Sequence, residues 1–301
     1  MNNNFHPAFE SSYHPLRGLV RFILATLAAF VASMAVNMFL ASVNPFKADA
    51  ETGQVFFRLF LGSSMLIGNM LLFLIQDSRY HGAKLFGWTL LAYIGSAQLL
   101  GHVETIAFNF MFDFSPGQIV FLVYSQALTA LLFVPLIITV AGKWKAPAVP
   151  PEVRTEPFLS MPTRSFLVRL AILAVLWYFC YMLAGFVIAD PITHDYYAAK
   201  HPDLPRINSW LPILQFFRGI AWTLLFILGI RIMNRPARES GLLVGLAFGI
   251  FHAAGLLLPS PFMPAEMRLA HFPEIVVSLV MQGVLVVSVM GYRGKAKIMD
   301  A

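Results

Sequence analysis

The sequence predicts an all-α polytopic membrane protein whose eight transmembrane helices form two parallel four-helix repeats. Composition is the first observation behind this prediction, because 58% of the 301 residues are apolar and only 12% are charged. Soluble globular domains carry a charge on about a quarter of their residues. The single cysteine, Cys180, excludes a disulfide-stapled extracellular domain. The chain therefore belongs in a lipid bilayer, which is its first predicted partner.

Long apolar runs are the second observation. A helix needs about 20 apolar residues to cross about 30 Å of hydrocarbon. The runs are continuous rather than alternating, which favours helices over strands, because lipid offers no hydrogen-bond partner to an open strand edge. We expect transmembrane helices at residues 18–42, 55–76, 84–102, 117–141, 166–189, 209–231, 240–258 and 272–292.

Similarity between the two halves of the chain is the third observation. Four short matches occur in the same order in both halves, at offsets of 148, 160, 155 and 156 residues. Copies with an even number of helices share one orientation, which predicts a parallel repeat about an axis normal to the membrane. The matched segments are Leu19-Val20-Arg21 with Leu167-Val168-Arg169, Phe56-Phe57-Arg58 with Phe216-Phe217-Arg218, Leu91-Ala92-Tyr93 with Leu246-Ala247-Phe248, and Gln118-Ile119-Val120 with Glu274-Ile275-Val276.

These matches define the predicted domain organisation. The first repeat spans residues 17–142 and the second spans 166–292. A Pro-rich linker at 143–165 joins them, and tails at 1–16 and 293–301 flank them. Fifteen of the 21 Lys and Arg residues fall on the side that holds this linker and both tails. The positive-inside rule therefore predicts cytoplasmic termini and a cytoplasmic linker.

The charge pattern and the size of the chain also bear on partners and location. The net charge of +6 is accounted for by these topogenic residues, so nothing predicts a nucleic-acid partner. The size of the chain and the lack of a targeting signal favour a bacterial cytoplasmic (inner) membrane.

Ionisable residues within the predicted helices are the leading site candidates. Placing one there costs at least about 2.5–3.5 kcal/mol, so each needs a partner or a function. Arg218 lies about nine residues into the sixth predicted helix, and we expect it to pair with Glu274 or with a backbone carbonyl. Arg58 is shallower, and snorkelling to the headgroups is its favoured role.

His252 shares a helix face with three glycines at four-residue spacing, Gly241, Gly245 and Gly249. A core histidine bonded to a neighbouring helix is the favoured reading, and a titrating or ligand-binding histidine is the alternative.

Further polar residues extend this set of candidates. Glu274 lies two turns above Gln282 on one helix, and the first repeat places Gln118 above Gln126. His102, Glu104 and His271 are candidates for the mouth of a cavity, although the spacing of His102 and Glu104 is no metal signature. Because the charged candidates fall in one half of the membrane, we expect a polar cavity open to the outside between the repeats. No metal is predicted, and the sequence leaves any cofactor unidentified.

Three functions are compatible with this pattern. The first is a secondary transporter or carrier of a small anionic or lipid-linked solute, in which arginines attract the anion while Glu274 and His252 exchange protons. The second is an intramembrane enzyme acting on a lipid or polyprenyl substrate, with His252 as general base and Arg218 as oxyanion or phosphate clamp. The third is a non-catalytic subunit of a membrane complex. Local signatures of serine hydrolases, zinc proteases and P-loop ATPases do not occur.

Overall fold

A computed structural model describes residues 15–46, 53–109, 113–147, 161–200, 209–260 and 263–291. Within these ranges the chain forms helices and no strand. Seven helices are long and apolar enough to cross a membrane, which confirms a multi-pass membrane protein. The two tails and the centre of the Pro-rich linker lie outside the described residues.

Ten α-helices form the described structure. They are α1 Pro15–Phe39, α2 Gly53–Gln76, α3 Gly82–Tyr93, α4 Leu100–Ala107, α5 Pro116–Ala141, α6 Thr163–Ala184, α7 Asp190–Lys200, α8 Leu211–Ile232, α9 Ala237–Ala253 and α10 Ala265–Val289. Two π-helical turns, Ile94–Leu99 and Gly185–Ala189, join α3 to α4 and α6 to α7 without a break. A 3-10 turn, Ala254–Leu257, extends α9.

The predicted span at 84–102 is the one that the seven apolar helices do not include. It lies within the helical stretch at residues 82–107, formed by α3, the first π-turn and α4. Gln98, His102 and Glu104 make this stretch less apolar than the other seven helices. The number of eight spans therefore stays a prediction.

Two predicted helix ends differ most from the observed ones. The fifth predicted helix, at 166–189, continues beyond its predicted end into α7. Pro191 lacks an N–H and would clash in a regular α-helix, and the π-turn directly before it gives the backbone room to pass. The last helix begins at Ala265 rather than 272, because Pro264 rather than Pro273 precedes its first turn. His271 therefore lies one turn before Glu274 on the same helix.

Each half of the chain packs its helices in the same order. In the first half α1 lies against α2 and α5, and in the second half α6 lies against α8 and α10. Aromatic residues of α8 and α9 form the centre of the core, where the rings of Trp222, Phe226 and Phe248 are in contact.

The halves meet along α2 with α9 and along α3 with α8. At one end of this interface, which we call the basic end, Ser78 forms an isolated antiparallel bridge with Met233. Asp77 pairs there with Arg235, and Lys143 Nζ donates a hydrogen bond to the Ser78 carbonyl over 3.0 Å. Partial burial lowers the pKa of the Lys143 ammonium. The basic end is therefore closed by contacts between loops of both halves.

Candidate functional site

A cavity of about 550 Å³ opens at the end of the bundle opposite the basic end. Both halves line it, because α4 and α5 form one wall while α6, α7, α9 and α10 form the others. Its volume is within the range of sites for small molecules. The polar residues in its wall are His102, Glu104, Thr105, Gln126, Tyr181, Tyr197, His252, Ser260, Arg268, His271 and Glu274.

Glu104 is the centre of a charged cluster in this wall. Arg218 Nη2 donates a hydrogen bond to Glu104 Oε2 over 2.7 Å, and the Tyr181 hydroxyl donates to Oε1 over 3.1 Å. His252 Nε2 lies 3.7 Å from Glu104 Oε2. The carboxylate comes from the first half and its partners come from the second, so the cluster links the halves through charge.

Arg218 lies behind Glu104 and is 3% exposed. Its Nη1 donates to Gln215 Oε1 over 3.1 Å, and the Trp177 indole donates to the same oxygen over 2.9 Å. Such a buried guanidinium needs a carboxylate partner, because removing one member of a buried pair leaves an uncompensated charge. Arg218 therefore binds Glu104 rather than reaching the cavity itself.

His252 has one nitrogen turned to protein and one turned to the cavity cluster. Its Nδ1 lies 3.0 Å from the Ser96 carbonyl oxygen, which can only accept a hydrogen bond, so Nδ1 carries a proton. Ser96 belongs to the π-turn after α3, and π-turns are common at functional sites. Nε2 is then the ring nitrogen that faces Glu104.

A second chain of acid–base groups lies in the same wall. Buried Glu274 contacts His271 Nδ1 through Oε2, and His271 Nε2 lies 2.7 Å from the Tyr197 hydroxyl. The carboxylate accepts, so Nδ1 carries a proton, and Nε2 shares a hydrogen bond with the Tyr197 hydroxyl. The result is a carboxylate–imidazole–phenol chain that ends at the cavity.

Arg268 and His102 complete the polar wall. Arg268 donates to the carbonyls of Met263, Leu256 and Leu258, so its charge is hydrogen-bonded but not neutralised by these groups. The Nε2 atom of His102 is buried and has no hydrogen-bond partner among the described residues. Both residues therefore contribute donors or positive charge that a ligand could use.

Most of the predicted site residues meet at this cavity. His252, Glu274, Gln126, His102, Glu104 and His271 line it, and Arg218 lies directly behind Glu104. Of the two partners expected for Arg218, Glu274 was wrong, because Glu274 pairs with His271 and Arg218 pairs with Glu104. The expected bond to a backbone carbonyl is present, since Arg218 Nη2 donates to the Leu100 carbonyl over 3.5 Å.

Two predicted site residues lie elsewhere. Arg58 is exposed on α2 and lines no part of the cavity. Gln282 is buried between helices, where its Nε2 donates to Thr223 Oγ1 over 3.2 Å. Gln282 therefore joins helices, as an interhelical amide does.

Sequence reasoning missed the two tyrosines. Tyr181 is one aromatic residue in an apolar run, and no spacing rule connects it to Glu104. Tyr197 follows a predicted helix end, and the helix-favouring residues after it, Ala198, Ala199 and Lys200, were the available signal for α7.

The polar groups of the cavity wall are hydrogen-bond donors and acceptors, and several of them can carry a proton. No group of three His, Cys, Asp or Glu residues in the described part of the chain could hold a metal ion. Comparisons with known families, curated proteins and solved structures find no match for this chain. Function must therefore be argued from the cavity.

Proposed function

We propose that the protein is a secondary carrier that moves a small anion together with protons through the cavity between its halves. The observation that carries this proposal is the Glu104 cluster, in which a carboxylate of one half binds an arginine and faces a histidine of the other. A change in the charge of this cluster acts directly on the contact between the halves. Binding at a repeat interface is a recurrent arrangement in carriers.

The coupling follows from the pairing of buried charges. A proton on Glu104 would leave Arg218 without its carboxylate, which is costly for a guanidinium that is 3% exposed. A proton on His252 would instead strengthen the cluster. Loading and release of protons therefore favour different arrangements of the halves, which is the requirement for alternating access.

The charges in the wall favour an anion as the solute. Both carboxylates already have basic partners, Arg218 for Glu104 and His271 for Glu274. Arg268, whose partners are backbone carbonyls, remains as a source of positive charge, and His252 becomes one when it is protonated. Protonation of His252 and His271 makes the cavity net positive, so anion and proton binding favour each other.

Internal duplication is part of this proposal, and packing supports it. Gly68 of α2 lies against Ala25 of α1, and Gly219 of α8 lies against Ala174 of α6. The two alanines are 149 residues apart, close to the offset of 148 for the sequence match in the same helices, and the two glycines are 151 residues apart. The Phe-Phe-Arg match at an offset of 160 does not fit this register, because Arg58 is exposed and Arg218 is buried.

The bridge at the basic end also fits a pseudo-two-fold axis. Ser78 and Met233 are 155 residues apart, which is the offset between Leu91 and Leu246. Two equivalent residues that pair antiparallel lie beside such an axis. In this arrangement residues 84–102 form the eighth span, the termini are cytoplasmic and the cavity opens outward from a bacterial inner membrane.

Cysteine accessibility tests the carrier without knowledge of the solute. The only native cysteine, Cys180, is buried, and Cys180→Ser provides a background without thiols. In that background Ala97→Cys places a thiol in the cavity wall. A carrier predicts labelling by an impermeant thiol reagent in both right-side-out and inverted vesicles, because the cavity opens to each side in turn.

The control and the contrary result are equally direct. Lys145→Cys at the basic end should react only in inverted vesicles, which also tests the orientation. Labelling of Ala97→Cys from one side only, from pH 5 to 8, would contradict alternating access. Proton uptake by proteoliposomes on addition of phosphate or succinate, lost in Glu104→Gln and kept in Arg58→Gln, would identify the anion class.

A membrane enzyme for a lipid or polyprenyl substrate is the second candidate. The carboxylate–imidazole–phenol chain of Glu274, His271 and Tyr197 favours it, since this arrangement can transfer a proton. Purified protein in detergent would then convert such a lipid, and Tyr197→Phe would reduce the rate by about 10²-fold or more. One-sided labelling of Ala97→Cys together with such turnover would select the enzyme. If Ala97→Cys is labelled from one side only and the purified protein converts no lipid, the remaining candidate is a non-catalytic subunit of a membrane complex.

A further inference from the structure

A second hollow, of about 480 Å³, lies on the side of the bundle between α3, α8 and the start of α6. Eight of its ten lining residues are apolar, and the other two are Thr163 and Arg231. We call it the lateral groove. Its lining residues are Trp88, Leu91, Met161, Thr163, Phe166, Leu224, Leu225, Ile227, Leu228 and Arg231.

The lateral groove opens toward the surroundings of the bundle rather than toward the cavity. Leu91 is 52% exposed and Leu224 is 45% exposed, and both belong to membrane-embedded stretches of the proposed topology. The side chain of Leu225 rests against Gly95 and closes the inner end of the groove. Lipid acyl chains are therefore the molecules that meet this surface.

The polar residues gather at one end of the groove. Arg231 lies in the last turn of α8, and Thr163 is the first residue of α6. The positive end of the α6 dipole faces this point, and no side chain caps the helix there. A guanidinium beside a helix N-terminus favours a phosphate group.

We infer that the lateral groove binds one anionic phospholipid, with its phosphate at Arg231 and Thr163 and the first part of an acyl chain along Leu228 and Leu224. The seven helical steps from Leu224 to Arg231 span about 10 Å, which matches the upper part of an acyl chain. The eight apolar residues argue for a lipid over free phosphate.

The charge around the groove selects an anionic headgroup. Arg164 and Arg238 lie at the same end of the bundle as Arg231, where Arg235 is already paired with Asp77. Basic residues at the cytoplasmic surface attract anionic lipids. This inference rests on the proposed topology but not on the carrier activity, because the lateral groove and the cavity share no lining residue.

Lipid titration of the purified full-length protein tests the inference. Native mass spectrometry in detergent would compare phosphatidylglycerol with phosphatidylcholine of the same acyl chains. We expect phosphatidylglycerol to bind about fivefold more tightly, and Arg231→Gln to remove this preference. Leu224→Trp should weaken the binding of both lipids, because the indole fills the apolar part of the groove. Arg231→Lys should retain the preference for phosphatidylglycerol.

Arg238→Gln is the matched control, because Arg238 is exposed at the same end and outside the groove. If Arg238→Gln and Arg231→Gln lose the preference for phosphatidylglycerol equally, diffuse surface charge explains the binding and the proposed site is wrong. If inorganic phosphate competes with the lipid and Leu224→Trp has no effect on lipid binding, the lateral groove is a simple anion site and the inference is wrong. Unchanged thermal unfolding in lipid-free detergent would show that Arg231→Gln and Leu224→Trp remain folded.

Discussion

Two contacts between neighbouring helices, one in each half of the chain, are closed in different ways. In the second half α9 lies directly against α10, and this is the most extensive helix contact of the described residues. We call it the closed seam. In the first half side chains bridge α3 and α4 to α5, with Gln98 donating to the Gln126 carbonyl over 2.8 Å. We call this the open seam, and it forms one wall of the cavity.

Side-chain size explains the difference. A Cβ on Gly245 would lie 2.8 Å from the Leu279 carbonyl oxygen, so only glycine allows the closed seam at this point. At the offset of 155 residues, Phe86, Leu90 and Ile94 occupy the positions of Gly241, Gly245 and Gly249. In the duplication that we propose, these bulky residues take the place of the glycine stripe, so we expect them to prevent an equally close approach of α3 and α5.

The open seam needs electrostatic compensation that the closed seam does not. Glu104 lies at the open seam, and Arg218 compensates its charge from the second half. The exposed pair of Asp77 and Arg235 links the same halves at the basic end, with side chains 42% and 27% exposed. Burial should therefore make the first pair far more important for stability than the second.

The largest expected effect is the loss of the buried cation at the open seam. Arg218→Gln should lower the free energy of unfolding by about 3–5 kcal/mol, because it leaves the Glu104 carboxylate without its main partner. Unfolding by SDS in mixed micelles measures this change. The double variant Glu104→Gln with Arg218→Gln should recover at least half of the loss, and exposed Arg58→Gln should have no effect. A double variant as unstable as Arg218→Gln would contradict the pairing.

A smaller effect is expected at the closed seam. Gly245→Leu introduces the same residue type as Leu90, its counterpart at the offset of 155 residues. This change should lower the free energy of unfolding by about 1–3 kcal/mol, because backbone atoms of α10 must move. The same unfolding assay measures it. Gly62→Ala is the control, because a Cβ on Gly62 meets nothing within 4 Å. Equal stability of Gly245→Leu and the unsubstituted protein would refute close approach as the cause of the closed seam.

The smallest effect is expected at the basic end. Asp77→Asn should lower the free energy of unfolding by about 0.2–1 kcal/mol, because water screens the attraction between two side chains that are this exposed. The difference should shrink at about 1 M salt, where the Debye length is about 3 Å. Unfolding at low and high salt measures this. A loss as large as that of Arg218→Gln would show that exposure does not separate the two pairs.

The sequence predicted most helices, because length and apolarity within a segment decide whether it can cross a bilayer. The bounds of α2 and α5 agree with prediction within two residues. The start of α10 was wrong by seven residues, because two prolines compete for one helix start and the sequence does not rank them. Six of the nine candidate residues line the cavity, and charged groups could be singled out because they are rare in apolar helices, whereas Tyr181 and Tyr197 could not.

Membrane residence and the identity of the few polar residues within it followed from the sequence by itself, because both depend on the transfer of single segments from water to lipid. Which of those residues meet was decided only by the tertiary structure. Glu104 and Arg218 are separated by 114 positions, and Ser96 and His252 by 156. Packing against neighbouring helices sets the rotation of each helix about its axis, and that rotation selected Glu104 over Glu274 as the partner of Arg218.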